Sequence, residues 1–385
     1  MPRWIALVLI AAAIGGAAWS LQPPPKLQPR AELSGLLPSA DMAGYARALQ
    51  PRPFTFPRDH GPHDEYQTEW WYYTGNLADA NGRHFGYQLT IFRRAIAPQA
   101  TPTGNTWTTN QVYIAHFAIT DSAAGSHKSF ERLARGAAGI AGASGEPYRV
   151  WIEDWRIEAL DVRGDEVRLV ARDGMHAIDL TLRSQKPIVK HGNDGLSQKS
   201  SEAGNASYYY SLTRNATTGS IQTPDGTFAV TGNSWLDREW STSALGSDVS
   251  GWDWFAIQLE DGRDLMLYKL RRGDGSDEPV SAGTLVEADG TTHRIAVGNF
   301  DARALAERWT APSGAAYPLR WRIDIPAHSL ALDVSPRINA QEMKLGIATY
   351  WEGAISVRGT SNGRAVTGLG YLELTGYRET MKGRL

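Results

Sequence analysis

The chain has 385 residues, 42% of them hydrophobic, which is ample material for two folded domains and excludes a disordered chain. Its 39 basic and 41 acidic residues leave a formal charge of −2 with no long run of either sign, so nucleic-acid binding has no electrostatic support. Cysteine is absent, which removes disulfide frameworks, thiolate metal sites, cysteine nucleophiles and cysteine-linked lipid anchors.

Residues 1–20, MPRWIALVLIAAAIGGAAWS, carry one Arg, an apolar run from Trp4 to Ala18, and small residues at Gly16 and Ala18. They read as a signal peptide, or as an N-terminal anchor to the inner membrane if left in place, and predict an exported protein, periplasmic or secreted. The apolar run is shorter than the roughly 20 residues that a membrane helix needs. Residues 21–53 read as a linker in which the Pro-rich LQPPPKLQP forms an extended tether, with a short helix expected within 31–52. The folded body is expected to begin near Phe54.

From there, short aromatic and β-branched runs alternate with Asn-Gly, Asp-Gly and Gly-Asp punctuation, the pattern of hairpins in an all-β protein. EWWYYTGNLADANGRHFGYQLTIFRR (69–94) reads as strand, Asn81-Gly82 turn, strand; GWDWFAIQLEDGRDLMLYKLRR (251–272) reads the same way around Asp261-Gly262. AVTGNSWLD (229–237) and AVTGLGYLE (365–373) share a second pattern without a gap, each preceded by an aromatic cluster. The order is therefore written twice, with a small, polar boundary at STSALGSDVSG. The fold class predicted is all-β, with two tandem antiparallel β-barrels, 54–245 and 246–385, packed against each other; closure hides the strand edges. Alternation sends Trp70 and Tyr72 to one side of their strand and Trp71 and Tyr73 to the other, as a barrel strand covered by a partner requires.

Several groups carry chemistry. In WLDREW, Asp237 and Glu239 share a face and Arg238 and Trp240 take the other. Two carboxylates facing an apolar cavity resist ionisation, which suits a general acid; the competing reading is a structural ion pair of Arg238 with Glu69 or Asp253. Glu69, just before the aromatic run, is a third candidate acid. DHGPHDE places His60, His63, Asp64 and Glu65 together in a Gly-Pro loop, which fits a cap over a barrel mouth better than a metal site, so no metal ligand is assigned. His116 alternates into a strand as a hydrogen-bonded core histidine, and His191 and Lys199 lie on a polar loop read as a lid or mouth. GTSNG (359–363) matches a nucleophile-elbow pattern but joins two strand-like runs, so it is read as a hairpin turn.

TEWWYYTGNL, YIAHFAITD, HGNDGLSQK with YYYSLTR, WLDREWSTSALGSDVSGWDWFAIQLEDG, and YWEGAISVRG with GYLELTGY together resemble the AttH/CrtC-type lipocalin-like family, whose members are often labelled carotenoid 1,2-hydratase. The resemblance spans nearly all of the chain after the leader and implies two consecutive lipocalin-like barrels in an exported protein, which in some members serves an ABC transport system. Its hydratase branch adds water to a terminal isoprenoid double bond by protonating carbon, without metal or organic cofactor. Trp240 and Tyr268 match that branch, whereas a His and an acid of its pattern are replaced by Arg238 and Leu270. Two functions result. One is an exported protein that binds an apolar small molecule or lipid with Trp70, Tyr72, His116, Arg238, Trp240, Trp252, Trp254, Tyr268 and Trp351. The other is an isoprenoid-transforming enzyme with Asp237, Glu239 or Glu69 as acid and ring faces steadying a cation.

Overall fold

The computed structural model describes residues 42–99, 105–242, 246, 248–346 and 348–381. The signal or anchor segment, the tether and the first part of the expected helix lie outside these residues. Residues 42–52 form a turn and extended chain instead of a helix. They already belong to the folded body, since the Tyr45 hydroxyl donates to the Ala95 carbonyl at 2.9 Å and Ala48 is buried. Among the described residues no helix is long and apolar enough to cross a membrane.

The remainder is strand. One antiparallel sheet contains β1 (Thr68–Ala78), β2 (His84–Ala95), β3 (Gln111–Asp121), β4 (Ser126–Arg135), β5 (Ala141–Gly145), β6 (Tyr148–Ile152), β7 (Trp155–Ala159), β8 (Glu166–Asp173), β9 (His176–Ser184), β10 (Val189–Lys190), β11 (Leu196–Gln198), β12 (Ala206–Thr223) and β13 (Gly226–Ser241). It runs β4-β3-β2-β1-β13-β12-β9-β8-β7-β6-β5, and it curls until β6 packs on β2, β3 and β4, nearly closing a barrel.

A second sheet follows with β14 (Val249–Leu259), β15 (Asp264–Arg272), β16 (Ala282–Val286), β17 (Thr292–Ala296) and β18 (Asp301–Ala304). After the small ribbon β19 (Trp309–Thr310) and β20 (Ala316–Tyr317) it resumes with β21 (Trp321–Ile325), β22 (Leu330–Pro336), β23 (Glu342–Lys344), β24 (Thr349–Ser361) and β25 (Arg364–Leu374). Its order is β17-β16-β15-β14-β25-β24-β22-β21-β18. The kernel β15-β14-β25-β24 repeats the kernel β2-β1-β13-β12. The GTSNG segment is the β24–β25 hairpin, with Asn362 and Gly363 both at positive φ as a tight two-residue turn requires.

Each sheet has an inner face that fills its own core, one built around Trp71, Tyr87, Phe117 and Trp155, the other around Phe255, Trp321 and Trp351. The opposite faces of the two kernels meet, and a third apolar cluster, including Tyr72, Tyr209, Trp235, Trp254, Tyr268 and Tyr371, fills the seam. Polar bonds cross it. The Gln258 amide donates to the carbonyls of Thr213 and Ser234 at 2.7 and 3.1 Å, and the Asn76 amide donates to Gly370 at 3.0 Å. Asp264 accepts from Thr213 at 2.9 Å and pairs with Lys186 and Arg214 at 2.8 and 2.6 Å. Gly86 sets the spacing: a Cβ there would lie 2.7 Å from the Ala354 methyl and 2.9 Å from the Tyr371 hydroxyl. Gly86→Ala is therefore expected to lose about 1–3 kcal/mol of stability through overpacking. Urea unfolding of the two proteins measures it, and an unchanged midpoint would mean that the seam gives way freely.

Candidate acid site in the seam between the sheets

Register decides which side chains reach the seam. Tyr72 lies opposite Asp237, and Trp70 opposite Glu239, on β1 and β13. In the second sheet Trp254 lies opposite Glu373, at the same place in the repeated kernel. Tyr72 meets Trp254 edge to face with ring centroids 5.2 Å apart, so the two copies join ring to ring with a carboxyl behind each. On the next strands Ser211 faces Asp237 and Glu352 faces Glu373.

Asp237 accepts from the Trp235 indole at 2.7 Å, from the Tyr209 hydroxyl at 2.7 Å, and from the Ser211 hydroxyl. The Tyr209 oxygen in turn accepts from the Trp254 indole at 3.3 Å, across the seam. Burial drives the Asp237 carboxyl up; its three donors pull it back and Glu239 pushes it further, with the balance at about 7. Both protonation states are thus accessible near neutrality.

Glu239 accepts from the Ser207 hydroxyl and is paired with the Lys199 ammonium at 2.6 Å. Burial opposes the charge on Lys199, but the Glu239 carboxylate outweighs it and keeps the amine protonated. That ammonium lies 5.2 Å from the ring centres of both Tyr209 and Tyr268, within cation–π reach.

Glu352 and Glu373 form the other half of the site. Glu373 accepts from the Trp252 indole at 2.8 Å. Glu352 is 1% exposed and sits beside the phenols of Tyr72 and Tyr350, which pull its carboxyl down without offsetting its burial. Burial raises both carboxyls well above the ordinary range, and Glu373 adds to the rise at Glu352 by like-charge repulsion. The pair therefore holds at least one proton at neutral pH. Tyr350 reaches back to the first sheet, where its hydroxyl is 2.9 Å from Nδ1 of His116; Nε2 of that ring is 3.4 Å from Glu131. His191 is buried between the hydroxyls of Thr284 and Ser211 at 2.9 and 2.6 Å, and burial pushes its pKa down to about 3, so it is a neutral bridge.

Of the residues the sequence nominates, Trp70, Tyr72, His116, Asp237, Glu239, Trp252, Trp254 and Tyr268 line or border this seam. Four do not. Glu69, Arg238 and Trp240 occupy the inner face of the first sheet, since register pairs Glu69 with Trp240 and Trp71 with Arg238. There Glu69 is bound by Arg93 and Arg238, so the ion-pair reading of Arg238 holds with Glu69, whereas Asp253 pairs with Arg271 at 3.3 Å and Tyr377 at 2.9 Å. The guanidinium of Arg238 lies 4.1 Å from the Trp71 ring centre, and His63 stacks on Trp240 at 3.8 Å. His63 also contacts Asp59 at 3.2 Å, so the His60-Gly61-Pro62-His63 loop is a plug of polar contacts and rings under the ends of β1, β2 and β13. Trp351 fills the second core, with its indole donating to the Asn339 carbonyl at 2.7 Å.

Sequence reading missed Glu352, Tyr209 and Trp235; Lys199 does lie in the loop after β11 as read, with its ammonium turned onto Glu239. A signal for part of this was present. The AVTG repeat aligns Asp237 with Glu373, which makes Glu373 the second seam carboxyl; Glu352 then follows as the cross-strand neighbour, in the place that Ser211 takes in the first copy.

No curated protein matches the chain in sequence. Among solved structures, an AttH protein from Nitrosomonas europaea is 30% identical over 86% of this chain and 99% of its own, with a TM-score of 0.77. Kievitone hydratase from Nectria haematococca is 15% identical over 86% of this chain and 95% of its own, with a TM-score of 0.65. CghA is 13% identical over 87% and 96%, with a TM-score of 0.53. The latter two share the fold; the all-β lipocalin-like class expected from the sequence is found here, its two expected barrels being two large antiparallel sheets of which the first nearly closes. A family model described as AttH-like matches residues 47–377, and by that match and the Nitrosomonas europaea likeness this chain belongs to the AttH-like family.

Proposed function

We infer that the seam performs acid catalysis on an apolar, unsaturated small molecule, adding water across a carbon–carbon double bond. The observation that carries this is Glu352: a wholly buried carboxyl, cross-strand neighbour of Glu373 and walled by aromatic rings, whose burial outweighs the pull of the Tyr72 and Tyr350 phenols beside it. A carboxyl kept protonated in an aromatic wall contributes no ion pair to the fold, whereas it is what protonation of carbon demands. The proton passes from the Glu352–Glu373 pair to one alkene carbon. The adjacent carbon becomes cationic and is steadied by the ring faces of Tyr72 and Trp254. Water adds to that carbon and its surplus proton passes to the Asp237 carboxylate; return of that proton through solvent to the Glu352–Glu373 pair restores the acid, so that alkene and water become an alcohol. The neighbour of this fold named kievitone hydratase supports the reaction class, and CghA, crystallised with Sch210972, supports small-molecule binding.

The test is incubation with a panel of acyclic terpenoid and prenylated phenolic alkenes in heavy-oxygen water. An alcohol carrying one heavy oxygen is expected, and Asp237→Asn and Glu373→Gln are each expected to lower its rate by about 100-fold or more while remaining folded. A second reading, an exported carrier that holds an apolar molecule or lipid for a transport system, draws on the half-buried Trp70, Trp252 and Val280 at the margin of the seam. It predicts an unaltered molecule retained in native mass spectra and no label across the panel.

A further inference from the structure

Away from the seam, three donors converge from separate parts of the second sheet. Glu287 begins the turn between β16 and β17, His293 lies on the edge strand β17, and His328 ends the short 3₁₀ turn Pro326–His328 between β21 and β22. One ligand atom from each lies within 4.8 Å of the others. Nε2 of His293 is 3.5 Å from Glu287, and the two imidazole rings are 4.9 Å apart, centre to centre. We propose that Glu287, His293 and His328 bind a divalent first-row metal ion, with zinc the best fit to a two-histidine, one-carboxylate donor set.

The donor chemistry is that of three-protein-ligand zinc sites, which leave further positions to water. Tetrahedral donors about 2.1 Å from zinc are about 3.4 Å apart, so from within 4.8 Å the groups close by about 1.4 Å at most, which half-exposed side chains achieve by rotation. Two cations stand nearby, both engaged elsewhere. Arg263 is held by Asp261 at 3.2 Å and donates to the His328 carbonyl at 3.3 Å, which fixes the turn; Lys186 is tied to Asp264 at 2.8 Å and donates to the Glu287 carbonyl at 3.0 Å. β17 is an edge of the sheet, and β21 and β22 lie near its other edge. A bound ion would clip the two together and close the second barrel at that end, in the manner of a staple.

Isothermal titration of the untagged, chelator-stripped full chain with zinc chloride tests this. One saturable site per chain is expected, together with a zinc-dependent rise in thermal midpoint. His293→Gln and Glu287→Gln should each weaken binding by more than about 100-fold and abolish the rise, whereas His176→Gln, a histidine outside the cluster, should change neither. Circular dichroism identifies any variant that fails to fold, and the remaining one then decides. Absence of saturable binding in the parent chain, or binding that survives both substitutions, overturns the site.

Discussion

Replacing Glu69 by Gln is expected to cost about 3–5 kcal/mol of folding free energy, the range for breaking a buried ion pair by removing one partner. Glu69 is 0% exposed and so is each guanidinium on it, Arg93 and Arg238. Its backbone support is a donation from the His63 amide at 3.1 Å. Removal of the one buried carboxylate leaves two buried cations held by Gln111, by carbonyls such as those of His63, Tyr66, His60 and Gly61, by the His63 ring at 3.2 Å and by the exposed Asp64 carboxylate at 3.9 Å. The effect is therefore not that of an exposed pair, which is worth about 0–1 kcal/mol. Urea unfolding followed by tryptophan emission measures it, because Trp71 and Trp240 border the network. In the double variant with Arg238→Met the loss should be smaller than the sum of the single losses, since one surplus cation is removed with the anion. A loss below about 1 kcal/mol for Glu69→Gln would show that the network is solvated and that the plug is not structural. The pH dependence has a fixed sign. Burial raises the Glu69 carboxyl, but Arg93 and Arg238 outweigh it and hold it well below the ordinary 4.5, so this stability is present above that value and is lost as the pH falls.

The fold was legible because strands and turns are written in local chemistry. Asn81-Gly82, Asp261-Gly262 and Asn362-Gly363 mark hairpins whose residues take positive φ at least at the glycine, and the period-two alternation around Trp70–Tyr73 sorts rings to the correct faces. Even the split of Asp237 and Glu239 from Arg238 follows from that period. Alternation alone, however, does not say which face looks inward. Glu69, Arg238 and Trp240 look as functional in the sequence as Asp237 does. Only the closing of the first sheet on itself puts them in its core, among Trp71, His63 and Arg93, and leaves Asp237 facing the second sheet. Glu352 was hidden for a different reason. It stands 115 residues from Asp237 and has no charged neighbour in sequence to draw attention to it; it becomes informative only when the two kernels face each other and bury it beside Glu373. The metal-type cluster is likewise a product of topology, since Glu287 and His293 are 35 or more residues from His328.

The seam should be a place where the chain is less stable than it needs to be, and Glu352→Met is expected to reveal this by raising stability by about 1–3 kcal/mol while abolishing turnover. Methionine is of similar length and fills the wall between Tyr72 and Tyr350 without a carboxyl whose burial outweighs the pull of those two phenols, and a buried polar group so placed costs about 1–3 kcal/mol. The gain should grow with pH. Burial raises the carboxyls of Asp237, Glu352 and Glu373 above their unfolded values, so between about pH 4 and pH 7 the folded chain binds more protons than the unfolded chain, and stability declines as pH rises through that window. Removing Glu352 also lifts the repulsion it shares with Glu373, which flattens the decline further. Thermal unfolding of parent and variant at pH 5 and pH 8 is the measurement: midpoints nearly equal at pH 5 and a variant several degrees higher at pH 8 are expected. A variant less stable than the parent at both values would mean that the carboxyl is held by contacts that favour its charged form, and the seam would then be a polar joint between two sheets with no acid stored in it.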